Sequence, residues 1–269
     1  MRAVSWTGGA VSERATCVLA PNPGIMTLDG TNTWVLAEPD SRRAVVIDPG
    51  PLLEEHLSHV AAVVTEADRE VGMVLLTHGH ADHAEGAATF AHRVNAPVRA
   101  LDPALRLGAE GLMDGDVVEL DGLELRVMAT PGHTSDSLSF VLPAEAAVLT
   151  GDTVLGRGTS VVAYPDGRLD DYLASLERLL ALAEAAEVST VLPGHGPVLG
   201  DARAVLAYYL THRRERLDAV ALALQQGDRT AAEVVRRVYA DVDSVLWPAA
   251  ELSVQAQLDY LRDASAAGN

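Results

Sequence analysis

Three histidines and an aspartate crowd into six residues, His78-Gly79-His80-Ala81-Asp82-His83. No helix face or strand face converges four such side chains at that spacing, but a tight loop after a strand can, so the segment reads as a metal-binding loop. Neutral imidazoles suit zinc, and the carboxylate suits a harder, more open position. His133 in Thr130-Pro131-Gly132-His133-Thr134, Asp152 in Leu149-Thr150-Gly151-Asp152-Thr153 and His195 in Pro193-Gly194-His195-Gly196-Pro197 stand in similar places, each after an apolar run. Alone, a Pro-Gly-His or a Gly-Asp after a strand is a loop or a turn. Together, with five of the nine histidines so placed, they form a pattern.

These residues need elements that deliver them to one place. Residues 33–37 and 44–48 read as adjacent strands closed by the turn Asp48-Pro49-Gly50-Pro51, and a helix follows through 52–70. Met73-Val74-Leu75-Leu76 is a continuous apolar run, as expected of a strand buried on both faces, and it ends at Thr77-His78. Further strands fall at 116–120, 123–129, 137–142 and 146–150, with Asp121-Gly122 as the hairpin turn between the first two. Leu169, Tyr172, Leu173, Leu176, Leu179 and Leu180 recur at helical spacing, with Asp170 and Asp171 favourably placed in the first turn. Val188 to Leu192 is another buried strand. The tail reads as helix: 202–225, then a capping box at Thr230 and Glu233, then about 248–263.

The 269 residues allow one large domain, or one with an appendage. Hydrophobic content of 48% and mean hydropathy of +0.13 exclude disorder and collagen-like readings. No apolar run approaches the roughly 20 residues that span a bilayer, and Met1 to Trp6 shows no export signal, so a cytoplasmic, membrane-free protein is expected. Cys17 is the only cysteine, which excludes an intramolecular disulfide and a cysteine metal cluster. A formal net charge of −18 repels polyanions and argues against broad coating of nucleic acid. Residues 200–240 depart from this, with seven arginines against five acids. All 20 basic residues are arginine.

With Val46-Ile47-Asp48-Pro49-Gly50 ahead of them, the four segments resemble the five motifs of the metallo-β-lactamase superfamily in order, over about residues 25–200. The resemblance implies an α/β fold of four layers, an αββα sandwich of two mixed sheets with helices outside. It implies a catalytic domain over residues 1–200 and a C-terminal helical, winged-helix-like subdomain over 201–269. By motif position, His78, His80 and His133 would bind one metal, and Asp82, His83 and His195 a second. Asp152 would bridge them, and Asp48 would hydrogen-bond a ligand imidazole. The implied cofactor is two divalent ions, zinc first, with manganese or iron as alternatives. Two metals about 3.5–4 Å apart hold a bridging hydroxide at neutral pH, the expected nucleophile, and Asp82 is the catalytic residue that would orient it.

Within the superfamily, the commonest zinc β-lactamases carry cysteine where this chain has Asp152, and flavodiiron proteins carry glutamate where it has His80. Both branches are disfavoured. Thr31-Asn32-Thr33-Trp34, the run Gly151 to Thr159 and Leu192 to Val198 resemble the endoribonuclease-type branch of beta-lactamase-like protein two, as do tail segments 209–216 and 253–261. That branch implies single-stranded RNA as substrate. The alternatives are a glyoxalase II-like thioesterase or other small-ester hydrolase, whose glutathione grip usually includes lysine, absent here, and a persulfide dioxygenase-like iron enzyme, which uses fewer of the seven ligands. A non-catalytic metal-binding module stands apart from these, although closed four-ligand sites dominate structural zinc. Arg157 is a candidate clamp for a phosphate or carboxylate. Arg213, Arg214 and Arg216 read as a solvated helix face or an RNA contact. His56, His59, His92 and His212 receive no role, His56 and His59 falling on a helix read as lying on the far side.

Overall fold

The structure, a computed structural model, describes residues 5–267. Met1–Val4, part of the stretch read for an export signal, and Gly268–Asn269 lie outside the described residues.

Alternation of side chains along each strand lets one sheet bury both faces. In β4 (Arg43–Ile47), Val45 and Ile47 point into a core shared with the second sheet, while Ala44 and Val46 point outward under helices. The first sheet has the order β1 (Gly9–Ala10), β2 (Ala15–Leu19), β3 (Asn32–Leu36), β4, β5 (Glu70–Leu75), β6 (Val98–Arg99). Its outer face is covered by α1 (Glu54–Glu66) through Leu57, Val60 and Val64. Phe90 and Ala91 of α3 (Ala87–Val94) cover it as well, and a one-turn helix α2 (Ala81–Ala84) precedes α3.

The second sheet runs β11 (Thr190–Pro193), β10 (Ala147–Gly151), β9 (Leu138–Leu142), β8 (Leu123–Ala129), β7 (Val117–Leu120). Its inner face supplies Leu123, Leu125, Phe140 and Leu149 to the shared core, against Trp34, Leu36 and Ile47 of the first sheet. Its outer face is covered by α4 (Leu169–Glu184) and by the first half of α5 (Ala202–Gln225). Both sheets are mixed: β4, β5 and β6 are mutually parallel, as are β10 and β11, and the other pairs are antiparallel. The layers are therefore helix, sheet, sheet, helix.

The second half of α5 leaves the sheet and packs Val220 and Ala223 against Val234 and Val235 of α6 (Ala231–Val238) and Val254 of α7 (Trp247–Ala267). The capping box at Thr230 and Glu233 forms as read from the sequence. Helix α5 belongs to both cores and so joins the tail to the sandwich. Among the described residues, no helix is long and apolar enough to cross a membrane.

The directions of the strands place the site. The ends of β4, β5, β8, β10 and β11 that lead to Asp48, His78, His133, Asp152 and His195 all lie at one edge of the sandwich. A bond from Leu138 N–H to the Thr77 carbonyl, 2.7 Å, ties the two sheets there.

Candidate metal centre

His78, His80, His133 and Asp152 converge at one point, and Asp82, His83 and His195 converge beside them. The six-residue cluster is only partly a loop. His80 caps α2, and its carbonyl accepts from the His83 and Ala84 N–H groups, so Asp82 and His83 project from a single helical turn rather than from irregular chain. In the first group, His78 Nε2 lies 3.1 Å and His133 Nε2 3.0 Å from His80 Nδ1. In the second, His83 Nε2 lies 3.2 Å from His195 Nε2, and Asp82 Oδ2 lies 3.2 Å from His195. Asp152 sits between the groups, 3.7 Å from His133 and 3.3 Å from His195.

These spacings fit divalent ions. Two donors each 2.0–2.1 Å from a tetrahedral zinc lie roughly 3.3–3.4 Å apart, within the 3.0–3.7 Å seen here. The far ring nitrogens of His78, His83, His133 and His195 are tied to acceptors, which aims the near ones inward. His133 Nδ1–H donates to the Val161 carbonyl and His195 Nδ1–H to the Gly30 carbonyl, and a carbonyl can only accept. Asp152 Oδ1 is buried with no hydrogen-bond partner among the described residues, a position left for an electrophile.

Asp48 lies behind both groups. Its Oδ2 accepts from His83 Nδ1 at 2.8 Å and from the Thr77 hydroxyl at 2.6 Å, and that hydroxyl in turn meets His78 Nδ1 at 3.0 Å. One carboxylate thus orients an imidazole in each group. Asp48 sits at φ +51, in the left-handed region. Its carbonyl is held there by the Thr33 hydroxyl at 2.6 Å, against which His56 Nε2 packs at 2.9 Å. His56 is therefore not on a remote face: it is buried under the Asp48 loop, and burial pushes its pKa down to about 4. The signal was its place four residues before Val60 and eight before Val64 on the buried stripe of α1. His59 and His92 are exposed.

Electrostatics follow from this crowding. Burial alone would raise Asp152, yet the adjacent His195 and His83 imidazoles hold it well below the carboxylate range. Burial pulls His195 down, but Asp152 and Asp82 outweigh it and lift it to about 9. Asp82, half-buried, is lowered to about 2 by His195 and His83 against the opposing effect of burial. The Thr31 hydroxyl donates to Asp82 Oδ2 at 3.1 Å, a contact that gives the Thr31-Asn32-Thr33-Trp34 segment a physical role. Asn32 supports the same edge, donating to the Pro193 and Gly196 carbonyls on either side of His195.

A pocket of about 300 Å³ opens beside His133 and Asp152, walled by Ile25, Met26, Leu28, Leu155, Val161 and Leu246. Arg157 lies on its rim with its guanidinium paired to Asp29, so its charge is already matched. The tail arginines do not form the common solvated face expected of them. Arg213 is buried, its guanidinium carbon 4.9 Å from the centroid of the Tyr172 ring. Arg216 stacks on Tyr239 and donates to the Val238 carbonyl, and only Arg214, paired with Glu177, is exposed. Three residues apart on α5, Arg213 and Arg216 share a side of the helix, while Arg214 points away from it.

Comparison with known proteins gives the family. Residues 26–195 match the model of the metallo-beta-lactamase superfamily, and residues 230–264 match the beta-lactamase associated winged helix domain. The chain belongs to the metallo-beta-lactamase superfamily. A beta-lactamase-like protein 2 homolog of Caenorhabditis elegans is 32% identical over 240 residues, covering 86% of this chain and 78% of that protein. An atrochrysone carboxyl ACP thioesterase of Aspergillus chevalieri is 33% identical over 244 residues, covering 86% and 75%. The crystal structure of a beta-lactamase domain protein from Burkholderia ambifaria shares the fold, with a TM-score of 0.82 at 22% identity over 96% of this chain and 88% of that one.

Proposed function

We propose that the protein is a dinuclear metal-dependent hydrolase acting on a thioester, or a related small ester, with an apolar acyl group. The observation that carries this reading is the Asp152 carboxylate, set between two groups of imidazole donors and opening onto an apolar pocket. In this assignment His78, His80 and His133 hold one ion, Asp82, His83 and His195 the other, and Asp152 both. Divalent ions held there supply Lewis acidity, polarising a carbonyl oxygen and making water nucleophilic near neutral pH. Zinc suits the imidazole-rich set, with manganese and iron as alternatives.

The chain's own residues do the rest. Asp82 stays ionised, and its contacts to Thr31, His83 and His195 run through Oδ2, leaving Oδ1 to accept a hydrogen bond from the attacking water and orient it. The apolar walls exclude water from the acyl chain and orient its carbonyl toward Asp152. A thiolate leaves with a pKa near 8.5 and asks for no general acid. The acyl-carrier thioesterase among the relatives supports this substrate class, and the net charge of −18 and the inward-turned arginines weigh against single-stranded RNA.

A panel of thioesters, lactones, bis-p-nitrophenyl phosphate and single-stranded RNA, offered to zinc- and manganese-loaded protein, tests the reading. The expected result is the highest kcat/KM on a medium-length acyl thioester, with Asp82→Asn lowering kcat far more than it changes KM. Cleavage of RNA in preference to every thioester overturns the substrate, and unchanged kcat in Asp82→Asn at full metal content removes that residue's role.

A further inference from the structure

Between the loop Thr159–Val161 and the C-terminal helices lies a second cavity of about 170 Å³, sharing Ser160, Val161 and Leu246 with the wall of the apolar pocket. Its charged lining is Arg213 and Arg216, with His212 beside them. Arg213 is only 5% exposed. It donates through Nη2 to the Ser160 carbonyl and lies over the face of Tyr172, but its buried Nε–H has no partner among the described residues. No carboxylate pairs with it among the described residues, whereas Arg214 has Glu177 at 2.9 Å and Arg216 has Asp241 at 3.9 Å. The buried Nδ1 of His212 is also without a partner.

A guanidinium keeps its charge at any physiological pH, and a buried cation is ordinarily matched by an anion because one carbonyl and a ring face do not replace its lost hydration. We propose that this cavity is an oxyanion subsite that takes a phosphate or carboxylate carried by the leaving-group half of the substrate. The guanidinium groups of Arg213 and Arg216, both residues of its lining, are its donors. Ser160 joins the two cavities. Its hydroxyl donates to the Asp152 carbonyl while its own carbonyl accepts from Arg213, so an anion seated there lies one loop away from the candidate metal centre. The subsite anchors the thiol half while the acyl chain fills the apolar pocket, and this part of the inference rests on the hydrolase reading above.

The test compares thioesters of one acyl group whose thiols are neutral (pantetheine), phosphorylated (4′-phosphopantetheine) and carboxylated (glutathione), on full-length metal-loaded protein. An anionic thioester is expected to show a KM at least tenfold below the neutral one, and its identity says which oxyanion the site takes. Arg213→Gln and the less deeply buried Arg216→Gln should each erase that advantage while leaving KM for the neutral thioester within about twofold. Equal KM for all three in the wild type, or an equal rise for all three in Arg216→Gln, overturns the subsite. If no thioester is hydrolysed, the hydrolase reading fails separately, and the subsite is read by thermal unfolding with inorganic phosphate. Phosphate should raise the Tm of the wild type by about 2–4 °C more than that of Arg216→Gln, ions bound at the metal centre being common to both. The same rise in both proteins overturns it.

Discussion

His195 shows how one side chain couples the site to pH. Its Nε2 lies 3.2 Å from Asp82 and 3.3 Å from Asp152, and these carboxylates outweigh burial to hold its pKa at about 9. A protonated imidazole cannot ligate, so ion binding expels that proton and affinity falls as pH drops from 9 toward 6. Metal-free protein behaves in the opposite sense. A folded pKa raised above the unfolded value near 6.5 gives stability that is complete below pH 6.5 and lost as pH rises through about 9. His83, also raised by Asp152 and Asp48, adds to the loss, while His78, lowered by burial, does not titrate in that window. Chelator-treated protein should therefore melt at lower temperature at pH 9 than at pH 6.5, and the gain in Tm on adding zinc should be larger at pH 9. Equal gains at the two pH values would contradict the assignment of His195 as a ligand.

Loops that leave strand ends, and the one-turn helix α2 for Asp82 and His83, deliver the candidate ligands, and their precision depends on small residues. At Gly194 a Cβ would fall 2.5 Å from Asp152 Oδ1 and 2.8 Å from His83 Cε1, atoms that cannot retreat without leaving the site. Gly194→Ala is predicted to destabilise the protein by about 1–3 kcal/mol and to cut bound metal sharply, measured by urea unfolding and metal analysis. Wild-type metal content would show that the carboxylate is free to move. The same elements show what the sequence discloses. Strands β3, β4, β5 and β7 to β11 are read from apolar or alternating runs closed by turn residues, whereas the set of seven candidate ligands came from the resemblance to the family's motifs. Strands β1 and β6, two residues each, exist only by pairing with a neighbour, which no local pattern encodes. Helix α3 starts at Gly86 without a side-chain cap and so lacks a start signal. For Arg213 the residue type pointed outward while its spacing pointed inward, seven residues after Leu206 and four after Tyr209 on the buried stripe of α5. Spacing prevailed because Tyr172 and the Ser160 carbonyl receive the guanidinium.

The whole molecule is organised so that the tail closes what the sandwich leaves open. Ala202, Leu206, Tyr209 and Leu210 cover the second sheet, the Tyr209 hydroxyl accepts from the buried Leu155 N–H at 2.9 Å, and Leu246 walls the apolar pocket. Truncation after Gly200 should therefore expose that sheet face and impair every substrate alike, with a lowered Tm or insolubility. A truncated protein that keeps its Tm and small-ester activity while losing action on RNA would instead make the tail a docking module for long polyanions. The central expectation is two ions held by six side chains around a shared Asp152. Metal analysis of gently purified, active protein tests it most directly: about two transition-metal ions per chain are predicted, falling sharply in Asp152→Ala. A fully active protein that binds one ion or none would contradict it.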